Sequence, residues 1–156
     1  MIHDVTTDAD DAPRFVALRA LRLQCRNGVL YSGLRGAAHH ARYPDIAPAL
    51  YAQPPATIFQ AALAAAKAMR WVIAAAVESD GRIEATATTR LLRFKDDVVI
   101  RVRADAHANA GTNADRSGTR LDIRSASRIG SSDFGANARR IHCFLQGMDN
   151  CLQTNT

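Results

Sequence analysis

The stretch WVIAAAVESDGRIEATATTRLLRFKDDVVIRV, residues 71–102, decides the fold of this chain. From Trp71 onward the apolar residues recur at every second position, which is the period of a β-strand. The turn Ser-Asp-Gly at residues 79–81 separates a first strand from a second, and residues 98–102 show the alternation of a third. Because the links between these strands are short, we expect an antiparallel meander.

A fourth strand is predicted at residues 120–124, where two apolar residues alternate with three charged ones. The second strand likewise carries charged and hydroxyl side chains on one side, at positions 82, 84, 86, 88 and 90. We therefore expect one face of the sheet to be polar or wet. Residues 104–118 are rich in Asn, Gly and Asp and are predicted to form a mobile loop tip.

Two helices are predicted, one before the strands and one after them. Residues 57–69 follow Pro54 and Pro55 and repeat apolar residues at three- and four-residue spacing. The other helix begins near Ser132 or Asp133, either of which can cap free backbone N–H groups, and continues to Gln146. Both helices need an apolar surface to cover, so we expect an α+β fold in which two helices pack on one face of a four-stranded antiparallel sheet. The apolar stripe of the last helix is predicted to consist of Phe134, Ala138, Ile141, Leu145 and Met148.

Residues 1–48 have no regular period and are predicted to form an irregular N-terminal strap packed on the domain. A short helix is predicted within the arginine-rich residues 15–26. Prolines at positions 44, 48, 54 and 55 forbid a regular helix there and favour an extended connector. Residues 49–152 are assigned to the α+β core, and we expect a single domain overall, because 156 residues leave little room for a second.

The composition is that of a soluble globular protein, with 47% hydrophobic residues, 22% charged residues and a net charge of +5. No apolar run is long enough to span a membrane, and the acidic start of the chain differs from the basic and then apolar start of a signal peptide. We therefore expect a soluble, cytoplasmic protein, or a cell-envelope protein if an upstream membrane or signal segment has been removed.

Two classes of partner are disfavoured by the residue types. The basic residues are nearly all arginines, Lys67 and Lys95 being the exceptions, and they form no dense run interleaved with aromatic residues. Nucleic acid is therefore not expected as a partner. Cys25, Cys143 and Cys151 lack the spacing of metal ligands, so we predict neither a metal nor a cofactor.

The most unusual segment is RSASRIGSSDFGANARRI, residues 124–141, where the fourth strand leads into the last helix. Gly130, Gly135 and the serines between them surround a predicted helix N-terminus, whose free N–H groups and dipole favour an anion. Arginine side chains can hold a carboxylate or a phosphate through paired hydrogen bonds. The candidate ligand-binding residues are Arg124, Ser125, Ser127, Arg128, Ser131, Ser132, Asn137 and Arg140.

The same segment also has a purely structural interpretation, because acidic residues match its basic ones. Asp96, Asp97 and Asp133 are candidate ion-pair partners that would fix the register of the strands and tie the last helix to the sheet. The exposure of Arg124 and Arg128, and their distances from the aspartates, would distinguish the two interpretations. A guanidinium that is fully buried and bound by both nitrogens to an aspartate has no charge left for a ligand.

The motif FKDD, residues 94–97, and the motif RSASRIGxSDxGxNAxRI, residues 124–141, carry a family resemblance. With the segments around them, the chain resembles the domain of unknown function 1499 family over about residues 2–148. The resemblance implies no reaction, substrate or cofactor. Longer bacterial relatives often carry transmembrane or signal segments ahead of this domain. The motif residues in this chain are Asp96, Asp97, Arg124, Ser125, Ser127, Arg128, Gly130, Ser132, Asp133, Gly135, Asn137, Arg140 and Ile141.

The resulting hypothesis is that the chain is a non-catalytic binding or assembly module. One form of this hypothesis places the module near a membrane. Its junction between strand and helix would engage an anionic small molecule, a lipid head group or an acidic protein surface. The alternative is a small enzyme in which Arg124 and Arg128 stabilise negative charge and Asp96 or Asp97 is the general base. A third hypothesis, a purely structural subunit, requires an exposed apolar patch at an oligomer interface.

Overall fold

The fold is described by a computed structural model that covers residues 2–89, 93–105 and 118–153. It contains six strands and four α-helices in the order β1 (Asp4–Thr6), α1 (Arg19–Leu23), α2 (Gly36–Arg42), β2 (Ala49–Tyr51), α3 (Pro55–Ala68), β3 (Val72–Val77), β4 (Arg82–Thr88), β5 (Lys95–Asp105), β6 (Gly118–Ser127) and α4 (Ala136–Gln153). The loop predicted at residues 104–118 lies outside the described residues, except at its two ends.

The strands form one antiparallel sheet in the order β1-β6-β5-β4-β3, and β2 also pairs with β6. The predicted α+β class and the antiparallel sheet are confirmed. The sheet has six strands rather than four, because β1 and β2 from the N-terminal part of the chain both pair with β6. Since they lie along the edge of β6 that β5 leaves open, they cover backbone groups that would otherwise be unpaired.

The helices α3 and α4 pack on one face of the sheet. The core between them contains Ile83, Ile100 and Ile123 from the strands, and Trp71 stacks on Phe144 with ring centroids 5.5 Å apart. The helix predicted at residues 57–69 is α3, which begins two residues earlier because proline is well tolerated in a first helical turn. Within the described part of the chain, none of the helices combines the length and the hydropathy needed to cross a bilayer.

The last helix begins later and ends later than predicted. It begins at Ala136, because Phe134 and Gly135 have φ angles of 51° and 81°, which belong to the left-handed region and cannot continue a right-handed helix. Phe134 is therefore not part of the apolar stripe and is 88% exposed. The stripe that is buried consists of Ala138, Ile141, Phe144 and Met148.

The opposite face of the sheet, which was predicted to be polar or wet, is covered by the N-terminal extension, residues 2–48. Phe15 and Leu18 pack against Val99 and Ala126 on this face. Glu84 is fully buried there, and its carboxylate accepts hydrogen bonds of 2.8–2.9 Å from three consecutive backbone N–H groups, those of residues 16–18. The face is polar, and several of its polar groups, Glu84, Arg101 and Arg120 among them, bind the extension.

Candidate functional site

The alternation of β6 divides the predicted ligand-binding residues between the two faces of the sheet. Arg124 and Arg128 project towards the N-terminal extension, whereas Ser125 and Ser127 project towards α4. The eight predicted residues therefore cannot form a single surface. The structure separates Arg124 and Arg128 from a group on the other side of the strand that consists of Ser125, Ser127, Asn137 and Arg140.

On the extension side, Arg124 is only 2% exposed. Its Nε and Nη2 atoms donate to the two carboxylate oxygens of Asp4 at 2.9 and 2.8 Å. Further hydrogen bonds go to the carbonyl oxygens of Pro13 and Val29. Asp4 was not among the predicted partners, because it reaches Arg124 only through the pairing of β1 with β6. The charge of Arg124 is thus neutralised inside the protein.

Arg128 lies on the same side and pairs with Asp97, which is fully buried. Its Nε and Nη2 atoms donate to the Asp97 carboxylate at distances of 2.8–3.1 Å, and this hydrogen bonding raises the pKa of Arg128 above its usual value. Asp97 also accepts hydrogen bonds from Arg22 and Thr86, each at 2.9 Å. Arg22 is 1% exposed, and sequence reasoning missed it because a single arginine in a five-residue helix carries no periodic signal.

On the helix side, Arg140 connects the last helix to the sheet. It donates to Asp96 at 2.6 Å, to Ser125 at 2.8 Å and to the Asn137 side-chain oxygen at 2.7 Å. Ser125 and Asn137 are fully buried and bonded to each other, and Asn137 also donates to the Ser127 hydroxyl at 3.0 Å. These five motif side chains make one network, in which Arg140, Ser125 and Asn137 are bonded to one another and hold Asp96 and Ser127.

Several backbone N–H groups at the N-terminus of α4, which the anion hypothesis required to be free, are already bonded within the protein. The Asp133 carboxylate accepts hydrogen bonds from the backbone N–H groups of Gly135 and Asn137, both at 2.9 Å. Ser132 accepts a longer one from Phe134, at 3.4 Å. Asp133 thus supplies the negative charge at this helix end that an external anion would otherwise provide.

A pocket of about 230 Å³ opens above this network, between the start of β5, the end of β6 and the start of α4. Asp96 and Ser127 line it, and so do Ser132 and Asp133. Its other walls include the apolar side chains of Phe94, Ile129 and Phe134, which are 45%, 50% and 88% exposed. Two of the eight predicted ligand-binding residues, Ser127 and Ser132, are therefore at this pocket, and the apolar walls were not anticipated.

A metal centre is not indicated in the part of the chain that the structure describes, since no three His, Cys, Asp or Glu residues there are placed to hold an ion.

The family described as protein of unknown function, DUF1499, matches residues 4–148 of this chain. The chain therefore belongs to the DUF1499 family, as the two motifs predicted. Among curated proteins, no match is found.

Proposed function

We propose that this DUF1499 domain is a non-catalytic binding module and that its ligand occupies the pocket at the junction of β6 and α4. The ligand class that fits best is a small, mainly apolar molecule with one hydrogen-bond donor, such as a hydroxyl or an amide. One observation carries the proposal: three large apolar side chains are exposed around a cavity that has a buried, fixed polar floor.

The apolar walls support binding because large hydrophobic side chains are normally withdrawn from water. Phe94, Ile129 and Phe134 are exposed around one concave site, where a ligand would cover them together. Phe134 also has a φ of 51°, which costs a residue with a bulky side chain about 1 kcal/mol or more. A backbone held in this conformation projects the ring away from the core and towards the mouth of the pocket. Local strain of this kind is concentrated at binding sites.

The polar floor selects the kind of ligand. Asp96, Asp133 and Ser127 line the pocket, and each of these side chains carries oxygen atoms that can accept hydrogen bonds. A carboxylate accepts hydrogen bonds, and a ligand that donates one is therefore favoured. An anion would meet two negative charges, of which Asp96 is already paired with Arg140 at 2.6 Å. The anionic group expected from the sequence is for this reason not assigned to the pocket.

The geometry favours binding over catalysis. Asp97, one of the two predicted general bases, accepts hydrogen bonds from Arg22, Arg128 and Thr86 on the face of the sheet opposite the pocket. Asp96 does line the pocket, but its carboxylate is held by Arg140. A general base needs a reachable proton on the substrate and a carboxylate that is free to take it.

The test is a titration of the protein with 1-octanol and, in parallel, with octanoate, followed by backbone amide chemical shifts. We expect 1-octanol to saturate and to shift the amides of residues 94–96 and 127–136, and octanoate to bind more weakly. Phe134→Ser should weaken 1-octanol binding about tenfold, which corresponds to about 1.4 kcal/mol. The matched control is Leu23→Ser, because Leu23 is 60% exposed and does not line the pocket.

Two results would refute this assignment. One is the absence of a saturable response at these amides. The other is a concentration-dependent dimer that Phe134→Ser abolishes, since the apolar walls would then be covered by a second copy of the chain, as the structural-subunit hypothesis requires. Analytical ultracentrifugation of the wild type and of this variant provides that measurement.

A further inference from the structure

A second and larger cavity, of about 550 Å³, lies on the other side of the molecule, within the N-terminal extension. Arg14, Arg19 and Arg35 line it, together with Tyr31, and Arg124 lies at its base. Its volume falls within the range of small-molecule sites, roughly 300–1,000 Å³. We refer to it as the arginine cleft.

The arginine cleft differs from the β6 network because several of its cations lack acidic partners. Among residues 2–89, 93–105 and 118–153, no carboxylate lies within ion-pair distance of Arg14, Arg19 or Arg35. Arg14 and Arg19 are both exposed. Arg35 donates to the carbonyl oxygen of Ala9 at 3.1 Å and lies over the ring of Tyr31, 5.0 Å from its centroid.

The acidic residues of the cleft do not cancel this charge. Asp11 binds Arg101 at 2.9 Å, outside the cleft, and Arg124 at the base is neutralised by Asp4. Of the acidic residues that line the cleft, Asp10 then remains against the three arginines. The local balance is positive, and guanidinium groups around a concave surface are suited to planar or tetrahedral oxyanions.

We propose that the arginine cleft binds a small organic oxyanion, a phosphate monoester or a carboxylate, with an apolar body. Arg14 and Arg19 would bind the anionic group, and Leu30 and Tyr31, which line the cleft and are not fully buried, would contact the body. The cleft is separated from the β6–α4 pocket by the sheet, so this inference does not depend on the function proposed above.

The experiment compares three ligands with the same aromatic body: phenyl phosphate, benzoate and neutral benzyl alcohol. Binding is followed by isothermal titration calorimetry and by amide shifts of residues 10–19 and 29–35, at low and at physiological ionic strength. We expect at least one of the two anions to saturate, benzyl alcohol not to, and the affinity to fall as salt screens the charges. Whether phenyl phosphate, benzoate or both of them bind identifies which oxyanion the cleft takes.

The double variant Arg14→Ala/Arg19→Ala should weaken anion binding tenfold or more. Its control is Arg26→Ala/Lys67→Ala, which removes the same charge from exposed residues that do not line the cleft. Thermal unfolding of both variants confirms that they are folded. Phe134→Ser should leave anion binding unchanged, which separates this site from the pocket. The inference is overturned if neither anion saturates, if benzyl alcohol binds equally well, or if the Arg14/Arg19 variant binds like the control.

Discussion

Replacing Arg124 with methionine tests how the N-terminal extension is held on the sheet. The substitution keeps much of the side-chain volume but removes both hydrogen bonds to Asp4 and those to Pro13 and Val29. Asp4 would remain buried, with the backbone N–H of Ser32 as a partner. Removing one member of a buried ion pair costs about 3–5 kcal/mol. Since both residues are 2% exposed, this value needs no reduction for solvent screening.

The free energy of unfolding is measured by urea denaturation followed by circular dichroism. For a chain of this length the expected loss lowers the melting temperature by roughly 6–20 °C. Arg128→Met should lower the free energy of unfolding by less, about 1–2 kcal/mol, because Arg128 is 19% exposed and Asp97 keeps Arg22 as a partner. Arg26→Met is the control, and a change of no more than about 0.5 kcal/mol is expected at this exposed residue.

The structural account of Arg124 would be wrong if the free energy of unfolding of Arg124→Met lay within about 1 kcal/mol of the wild-type value. If that variant does not fold at all, Asp4→Asn provides the same comparison, because asparagine retains an oxygen acceptor while losing the charge. Asp4→Asn should then lower the free energy of unfolding. This loss should be independent of the loss in Arg128→Met, because Asp4 and Asp97 belong to separate ion pairs.

Two further predictions concern single side chains outside both sites. Burial raises the pKa of Tyr51 from 10.0 to about 12, and its hydroxyl is buried without a hydrogen-bond partner among the described residues. Folding therefore favours the neutral phenol, and the contribution of Tyr51 to stability is complete below pH 10 and is lost as the pH rises towards 12. Tyr31 and Tyr43 also have raised pKa values, so Tyr51→Phe should remove only the part of the alkaline loss that Tyr51 causes. At pH 7 the same substitution should stabilise the protein by about 1 kcal/mol in urea titrations, because it removes this buried hydroxyl. Gly81→Ala should lower the free energy of unfolding by more than about 2 kcal/mol, because φ is 59° and a Cβ atom would overlap the Val102 carbonyl. Gly28 has a similar φ but open space around it, so Gly28→Ala should lower that free energy by only about 1 kcal/mol. Thermal melts of the two variants provide the comparison.

Local sequence patterns were sufficient for β3 to β6 and for α3, because the alternation of a strand and the spacing of a helix are properties of neighbouring residues. They were insufficient for β1 and β2. A three-residue strand contains too few positions to show an alternation, and both strands are defined by pairing with β6, which is distant in the sequence. The start of α4 was missed for another reason, since the positive φ of Phe134 places a strongly apolar residue outside the helix.

The burial of the polar face of the sheet could not be predicted from the strands alone. Glu84 and Asp122 alternate with apolar neighbours as solvent-exposed residues do, yet both are fully buried. Decisive partners come from other parts of the chain: backbone N–H groups of the extension for Glu84, and Arg101 of β5 for Asp122. Arg120, two residues before Asp122 on the same strand, also binds it. A carboxylate is buried where several donors converge on it, and this convergence depends on tertiary structure.

The same reasoning explains why the sequence located a candidate site but not its chemistry. The motif at residues 124–141 does end in a pocket, but Arg124, Arg128 and Arg140 are paired with aspartates inside the protein, and the arginines of the arginine cleft lie in a segment that shows no periodic pattern. β6 contributes to both faces: Arg124 holds the extension that forms the arginine cleft, while Ser127 lies in the floor of the β6–α4 pocket. Positions of this strand that face opposite sides of the sheet should therefore have separable effects. Loss of Arg124 would impair anion binding through the extension, and substitution of Ser127 would act on the pocket alone.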